Sequence, residues 1–425
     1  RRRRKRSRFS DLRLRIRSAS LADRLVTVNV RLQQLTKTWW FRVSAIWLAT
    51  RAITTSLFIY AASVQGDNYW TKARPGYFDF LNIWDAEWFG KIVDHGYPVV
   101  LPVTANGAVL QNEWAFMPVF PALAKLLGLI TGLEFKFVAP AIATLASFGA
   151  ALLVYRFAQR VAEPRAAFWS VALVGLWCAS PVLQTGYAES LGLLFLAWAL
   201  LLVEQRRYLL ALIPVAALAF TRPGALAFAL MFALLWMARH WQANRDALAF
   251  ATRERIALAT AAAASALLGF GWAICAWLVT GRVDAYVATE LSWRAGYTQA
   301  DSLVPFSGLF ASANYHFGDP IGYFVVVLVV LLLVYAFSKP GMRALGPTVN
   351  LWTASYLIFL AAVFFAQSST WRLLIPAFGL LIGFAGPLSR SSRWVKALVV
   401  LLLVWLQLWW LLNCWLYTAP DFTPP

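Results

Sequence analysis

Residues 82–98 read NIWDAEWFGKIVDHGYP, setting two carboxylates, Asp85 and Glu87, among Trp84, Trp88 and Phe89. An ionised group in a largely apolar chain is expensive near a bilayer, and tends to face a cavity or an opposite charge. Opposite charges of a suitable kind recur at three places: Arg222 in FTRPGA, Arg294 in ELSWRAGY and Arg372 in SSTWRLLIP. Each stands at the end of an apolar run. One carboxylate opposite several guanidiniums suits a reaction that takes a proton at one group and holds negative charge on another. The planar guanidinium fork also matches phosphate geometry. Asp85 is therefore the candidate general base, and Arg222, Arg372 and Arg294 form a candidate phosphate clamp. His316, in ANYHFGD, is a further candidate phosphate partner. Trp84, Trp88, Glu87, Glu113, Tyr187 and Glu189 are candidate substrate-binding residues. The competing readings are structural: an Asp that caps a turn, and Trp-Arg pairs that anchor helix ends at the interface while the arginine snorkels.

Asp85-Ala-Glu87 also has the D-x-E spacing with which some glycosyltransferases hold a divalent metal. Two residues apart on a helix, however, the side chains diverge. No metal is required if arginines carry the phosphate charge. Cys178, Cys275 and Cys414 lie inside apolar runs without metal-ligand spacing. There is no G-x-G-x-x-G, no Walker lysine loop, no H-E-x-x-H and no nucleophile elbow. A soluble nucleotide donor is thus disfavoured, and an anionic donor would arrive through the membrane on a lipid carrier.

The elements that must position these residues are membrane helices. The chain has 425 residues, 60% hydrophobic and only 13% charged, about half the usual charged share of a soluble protein. Apolar runs of spanning length recur at 43–64, 136–157, 165–181, 186–203, 208–220, 223–239, 256–280, 320–337, 347–366, 371–387 and 394–417. The pattern predicts an all-α polytopic membrane bundle with about eleven crossings. The run at 114–132, broken by Pro118 and Pro121, is expected to dip in without crossing. The loops at 159–165, 204–207, 239–255, 338–343 and 389–396 then share a side with the basic N-terminus, which makes that side cytoplasmic. The opposite side collects 65–113, 180–189, 221–224, 281–319 and 367–372, with a C-terminal tail at 419–425. Two of these loops are longer than a connection requires, and all the candidate site residues lie on this face. The expected location is a plasma membrane, multi-pass, with the site extracytoplasmic.

Much of the net charge of +19 lies in residues 1–38, which open on RRRRKRSR and where Leu21, Leu25, Val28, Leu32 and Leu35 mark an amphipathic stripe; the rest lies in short loops between apolar runs. That composition fits a cytoplasmic helix on anionic lipids rather than a nucleic-acid arm.

WDAEWFGKIVDHGYP followed by EWAFMPVFPALAKLL resembles the PIG-V type mannosyltransferases and their bacterial relatives. YAESLGLLFLAW is similar to that family's Y-x-E-S-L-F segment, and TRPG, SWRAGY and WRLLIPAF are weaker echoes. The resemblance covers about 78–387. It implies a GT-C membrane glycosyltransferase fold over 39–418, with the active site in the long outer loops and a polyprenyl-phosphate sugar donor. Asp85 maps to the family's catalytic acid, while the TRPG segment departs from the family's arginine-containing sequence. The activity so implied is inverting transfer of mannose to a hydroxyl of a glycan, glycolipid or protein. Two rivals stand beside it: a GT-C arabinofuranosyltransferase, and a lipid-sugar transporter without chemistry.

Overall fold

The computed structural model describes residues 38–246, 249–295, 303–418 and 425. The expected basic amphipathic helix of the N-terminal region and most of the C-terminal tail lie outside the described residues. Among the described residues, fifteen helices of eight or more residues carry the architecture. They are α1 (Trp39–Val64), α2 (Asp85–His95), α3 (Val119–Thr131), α4 (Phe135–Val161), α5 (Pro164–Leu176), α6 (Glu189–Glu204), α7 (Tyr208–Ala219), α8 (Ala225–Asp246), α9 (Thr252–Thr280), α10 (Ala285–Ser292), α11 (Ser307–Phe317), α12 (Ile321–Ser338), α13 (Gly346–Val363), α14 (Gly379–Arg390) and α15 (Arg393–Trp410). Among the described residues the only β pairing is an isolated Val103–Val109 bridge.

Among the described residues, six helices are long and apolar enough to cross a membrane: α1, α4, α9, α12, α13 and α15 extended to Trp415. The segment Thr370–Ala377 followed by Gly379–Arg390, bent by 72°, makes a seventh if counted as one span. The eleven expected crossings are therefore not all supported by length. Each expected run does contain a helix, but α5 and α7 have 13 and 12 residues. At 1.5 Å per residue they reach about 20 Å, short of a hydrocarbon core of about 30 Å. The 114–132 run likewise yields only the 13-residue α3.

The centre of the bundle is α4 packed on α6, with α5 and α7 beside them and α1 against α5. Small residues permit the close approach, among them Ala139, Ala143, Ala150, Ala197 and Ala199, all fully buried. The pair α8–α9 packs on α7, α13 packs on α8, and α14 packs on α5. Helix α12 is apolar all round with an 18-residue window only 11% buried, as a helix facing lipid should be.

Apolar runs end early where the backbone has other partners. The 165–181 run becomes α5 and then a 3₁₀ turn, Ser180–Gln184. Arg51 of α1, which the sequence reading passed over, is buried against this break. Its guanidinium donates to Gly175 O at 2.7 Å, Ser180 O at 2.9 Å and Gln184 Oε1 at 3.3 Å. Interrupted backbone at membrane depth persists only where such donors reach it. Arg51→Leu is expected to lower the thermal unfolding midpoint, because the Ser180 carbonyl loses its donor at about 1–3 kcal/mol. Detergent-phase thermal scanning reads this directly, and an unchanged midpoint would refute the sealing role.

Candidate active site

The long connection after α1 is fastened to the end of the chain that follows α15. Gln65 donates to Tyr417 O at 2.9 Å and accepts from Tyr417 N–H at 3.0 Å. Trp415 Nε1 donates to Phe80 O at 3.0 Å, and Trp84 Nε1 to Trp415 O at 2.6 Å. Trp84 is buried, packed on Trp70 with ring centroids 4.6 Å apart. It serves here as a clamp between this connection and the segment that follows α15. Its backbone has φ +62° and ψ −126°, a region that side chains rarely occupy and that persists where surrounding packing imposes it. The turn aims the next residue, Asp85, the first of α2, into the bundle.

Asp85 meets residues from two other segments, and a third joins through Glu189. Arg372 Nη1 donates to Asp85 Oδ2 at 2.5 Å and lies 3.1 Å from Glu189 Oε1. Arg222 Nη2 lies 3.3 Å from the same Glu189 oxygen. The Glu189 contacts are ion pairs without hydrogen-bond alignment. Tyr187 is fully buried, its hydroxyl accepts the Asp85 backbone N–H at 3.0 Å, and the Arg372 guanidinium lies 5.2 Å from its ring centroid. The outcome is an alternating chain, Asp85–Arg372–Glu189–Arg222, tucked under a buried tyrosine.

Each member sits at a helix break. Arg372 belongs to the Thr370–Leu373 turn, whose neighbouring carbonyls are filled from other helices. Trp177 donates to Trp371 O at 2.8 Å, Tyr356 to Leu373 O at 2.7 Å, and Trp352 to Pro376 O at 2.9 Å. Arg222 lies in the turn between α7 and α8, forced by Pro223 and Gly224, with its stem along Gly192 of α6. The Phe220 carbonyl of that turn accepts from Val119 N–H at 2.9 Å, which ties in the start of α3. Glu189 is the first residue of α6, where the helix dipole favours a carboxylate.

The other expected residues lie elsewhere. Glu87 points away from Asp85, accepts from Trp70 Nε1 at 2.6 Å and pairs with Lys91 at 2.9 Å. A divalent metal shared by Asp85 and Glu87 does not fit this arrangement, and among the described residues no group of three His, Cys, Asp or Glu could hold one. The Trp88 ring is already engaged, stacked on Phe116 (centroids 6.0 Å apart), edge-on to Trp293 at 5.3 Å and covered by Lys91 at 4.1 Å. Phe89 is core. Glu113 sits half-buried in the Glu113–Ala115 turn, with its charge beside Tyr97. His316 is exposed in the last turn of α11 against Tyr315 and is not part of the cluster. Arg294 donates to Val363 O at 2.5 Å.

A third carboxylate, Glu290 of α10, was not singled out from the sequence. It lies one helical turn from Tyr286, and it feels the Tyr286 hydroxyl and the charges of Arg294, Arg222 and Asp85. Burial pushes its carboxyl above the ordinary glutamate range, with Arg294 pulling the other way. The available signal was the spacing Tyr286, Glu290, Arg294, which places all three on one helical face.

The approach between α2 and the segment before α6 is tight at Gly186. Its N–H donates to Leu81 O at 3.2 Å, and an added Cβ would run into Asn82 Oδ1 and meet Ala86 Cβ at 3.2 Å. Asn82 cannot swing aside freely, because its amide nitrogen already donates to Phe78 O and Lys136 O. Gly186→Ala is therefore expected to displace Asp85 relative to Arg372. Misplacement by about 1 Å costs on the order of a hundredfold in rate, so transfer by the folded variant should fall by about that factor. Wild-type turnover would contradict the packing argument.

No family model and no curated protein matches the chain. Among solved structures it is similar to ArnT from Cupriavidus metallidurans bound to undecaprenyl phosphate, with TM-score 0.49 and 14% identity over 84% of this chain and 63% of that one. It is also similar to the Archaeoglobus fulgidus oligosaccharyltransferase complex with zinc and sulfate, with TM-score 0.45 and 14% identity over 86% of this chain and 53% of that one. The chain thus spans less than two thirds of the length of either protein, and a likeness at this level assigns it no activity.

Proposed function

We propose that this protein is an inverting membrane glycosyltransferase that moves mannose from a polyprenyl-phosphate donor to an acceptor hydroxyl. The observation that carries the reading is the Asp85–Arg372–Glu189–Arg222 chain, a half-buried carboxylate beside two guanidiniums at helix breaks. The motif resemblance around WDAEWFGKIVDHGYP supports the donor class.

The donor phosphate takes the guanidiniums of Arg372 and Arg222, displacing Asp85 from Arg372. The released carboxylate then accepts the proton of the acceptor hydroxyl as that oxygen attacks the anomeric carbon. The bond from the anomeric carbon to the phosphate oxygen breaks, and its electron pair stays on the phosphate, where the arginines hold the charge. A phosphate leaving group needs little protonation, so one carboxylate suffices, unlike the paired acids of glycoside hydrolysis. Glu189 keeps the two arginines apart and neutralised before the donor arrives. A cleft of about 490 Å³, lined by Ser368, Trp371, Trp409, Leu412, Asn413 and Thr418 among others, opens beside the Arg372 turn, with mixed polar and apolar walls that suit an amphiphilic ligand.

The test supplies purified protein in liposomes with polyprenyl-phosphate mannose and a set of glycolipid acceptors. Mannosyl transfer is the expected result. Transfer only from the arabinofuranosyl lipid would replace the sugar, and donor translocation without any transfer would replace the enzyme with a transporter.

A further inference from the structure

The site has a second wall, built by α10. Asp85 and Trp88 are three residues apart on α2, and Glu290 and Trp293 are three residues apart along α10 and its last turn, so each acid shares a helix face with a tryptophan. Those tryptophans touch, with ring centroids 5.3 Å apart, and Trp293 also meets Phe116 at 5.7 Å. Helix α10 is pinned from below as well: Asn112 Nδ2 donates to Thr289 Oγ1 at 2.9 Å, and Arg294 reaches Val363 O. Helices α2 and α10 thus meet through Trp88 and Trp293, with Asp85 and Glu290 each about one turn from that contact, and Arg222, ion-paired to Glu189, also acts on Glu290 through its charge.

Glu290 is half-buried and surplus to the phosphate chemistry, because a carboxylate repels a phosphate. What a carboxylate beside a phosphate clamp does recognise is a ring of hydroxyls one bond further along the ligand. We propose that Glu290, oriented by the Tyr286 hydroxyl, accepts hydrogen bonds from the glycosyl hydroxyls of the lipid-linked donor, and so selects sugar-bearing lipid phosphate over the spent carrier. This inference rests on the proposed transferase reading. It also supplies a reason for product release: the carrier phosphate left after transfer keeps the Glu290 repulsion and loses the compensating hydroxyl contacts.

The consequence is a change of opposite sign for two ligands. Glu290→Gln removes a charged hydrogen-bond acceptor from the sugar and removes a negative charge from beside Arg222. The experiment measures binding of undecaprenyl phosphate, and of mannosyl, glucosyl and arabinofuranosyl polyprenyl phosphates, to wild type and Glu290→Gln in nanodiscs. Affinity for the best sugar-bearing lipid should fall about tenfold, the scale of one charged hydrogen bond, while affinity for undecaprenyl phosphate stays the same or rises. An equal loss for both ligands, or no loss for the sugar-bearing one, would overturn the assignment. If Glu290→Gln does not fold, Glu290→Asp keeps the charge, withdraws it by one methylene and should lower only the sugar-bearing affinity. Wild type that binds undecaprenyl phosphate as tightly as every glycosylated lipid would sink the Glu290 inference alone. Wild type that binds no polyprenyl phosphate would sink the transferase reading itself.

Discussion

Asp85→Asn is expected to reduce sugar transfer by about a hundredfold to ten-thousandfold, the range of a lost general base, with binding of the donor lipid kept. The amide is nearly isosteric and leaves in place the backbone N–H that Tyr187 accepts. The clamp turn at Trp84 and the packing of α2 are untouched. What disappears is the proton acceptor and half of the ion pair with Arg372. Losing that ion pair leaves Arg372 freer for phosphate, so donor affinity should hold or improve while turnover collapses. The measurement is paired, single-turnover transfer and equilibrium donor binding on one preparation. A variant that transfers at the wild-type rate would remove Asp85 from the chemistry, and one that merely binds donor poorly would make it a ligand.

Arg372→Gln should be the most damaging single change, because it acts on stability and on function together. Arg372 is nearly buried and lies between Asp85 and Glu189. Without it two carboxylates face each other with only Arg222 in reach of one of them. Removing one partner of a buried pair costs about 3–5 kcal/mol, which should appear as a large fall in the thermal midpoint. Polyprenyl-phosphate binding should be lost as well. The double change Glu189→Gln with Arg372→Gln separates the two effects: it removes both the cation and one stranded anion, so the midpoint should recover while transfer stays abolished. Recovery of transfer in the double variant would show that Arg372 only balances charge. Arg372→Lys should keep much of the stability and little of the transfer, since an ammonium cannot present the same fork to phosphate and carboxylate at once.

Much of the site was legible because charge is so conspicuous in an apolar chain. Asp85 drew notice as an acid among tryptophans, and Arg222 and Arg372 as cations at runs broken by Pro223 or followed by Pro376. The structure brings these three together with Tyr187 and Glu189, residues read from the sequence only as pocket candidates. Glu290 was missed because its setting is made by distant contacts, Trp293 on Trp88 and Thr289 on Asn112, that no local pattern encodes. The roles of the tryptophans were illegible for a related reason. Indole packs, anchors and stacks equally well, and only the Trp84 hydrogen bond to Trp415 O and the company around Trp88 decide between those uses. The eleven crossings are not confirmed by helix length around Pro181 and the 221–224 turn. There, hydropathy sees a nearly continuous run, whereas the backbone forms short helices sealed by Arg51 or by Val119 N–H.

In the proposed transfer, the arginine pair receives a lipid phosphate at the expense of the Asp85–Arg372 contact. A cryo-EM structure of the protein with undecaprenyl phosphate tests it most directly. The expected result is a phosphate within about 3 Å of the Arg222 and Arg372 guanidiniums, with the Asp85 carboxylate released from Arg372 and open to an acceptor. A phosphate bound elsewhere, with the Asp85–Arg372 ion pair still closed, would contradict it.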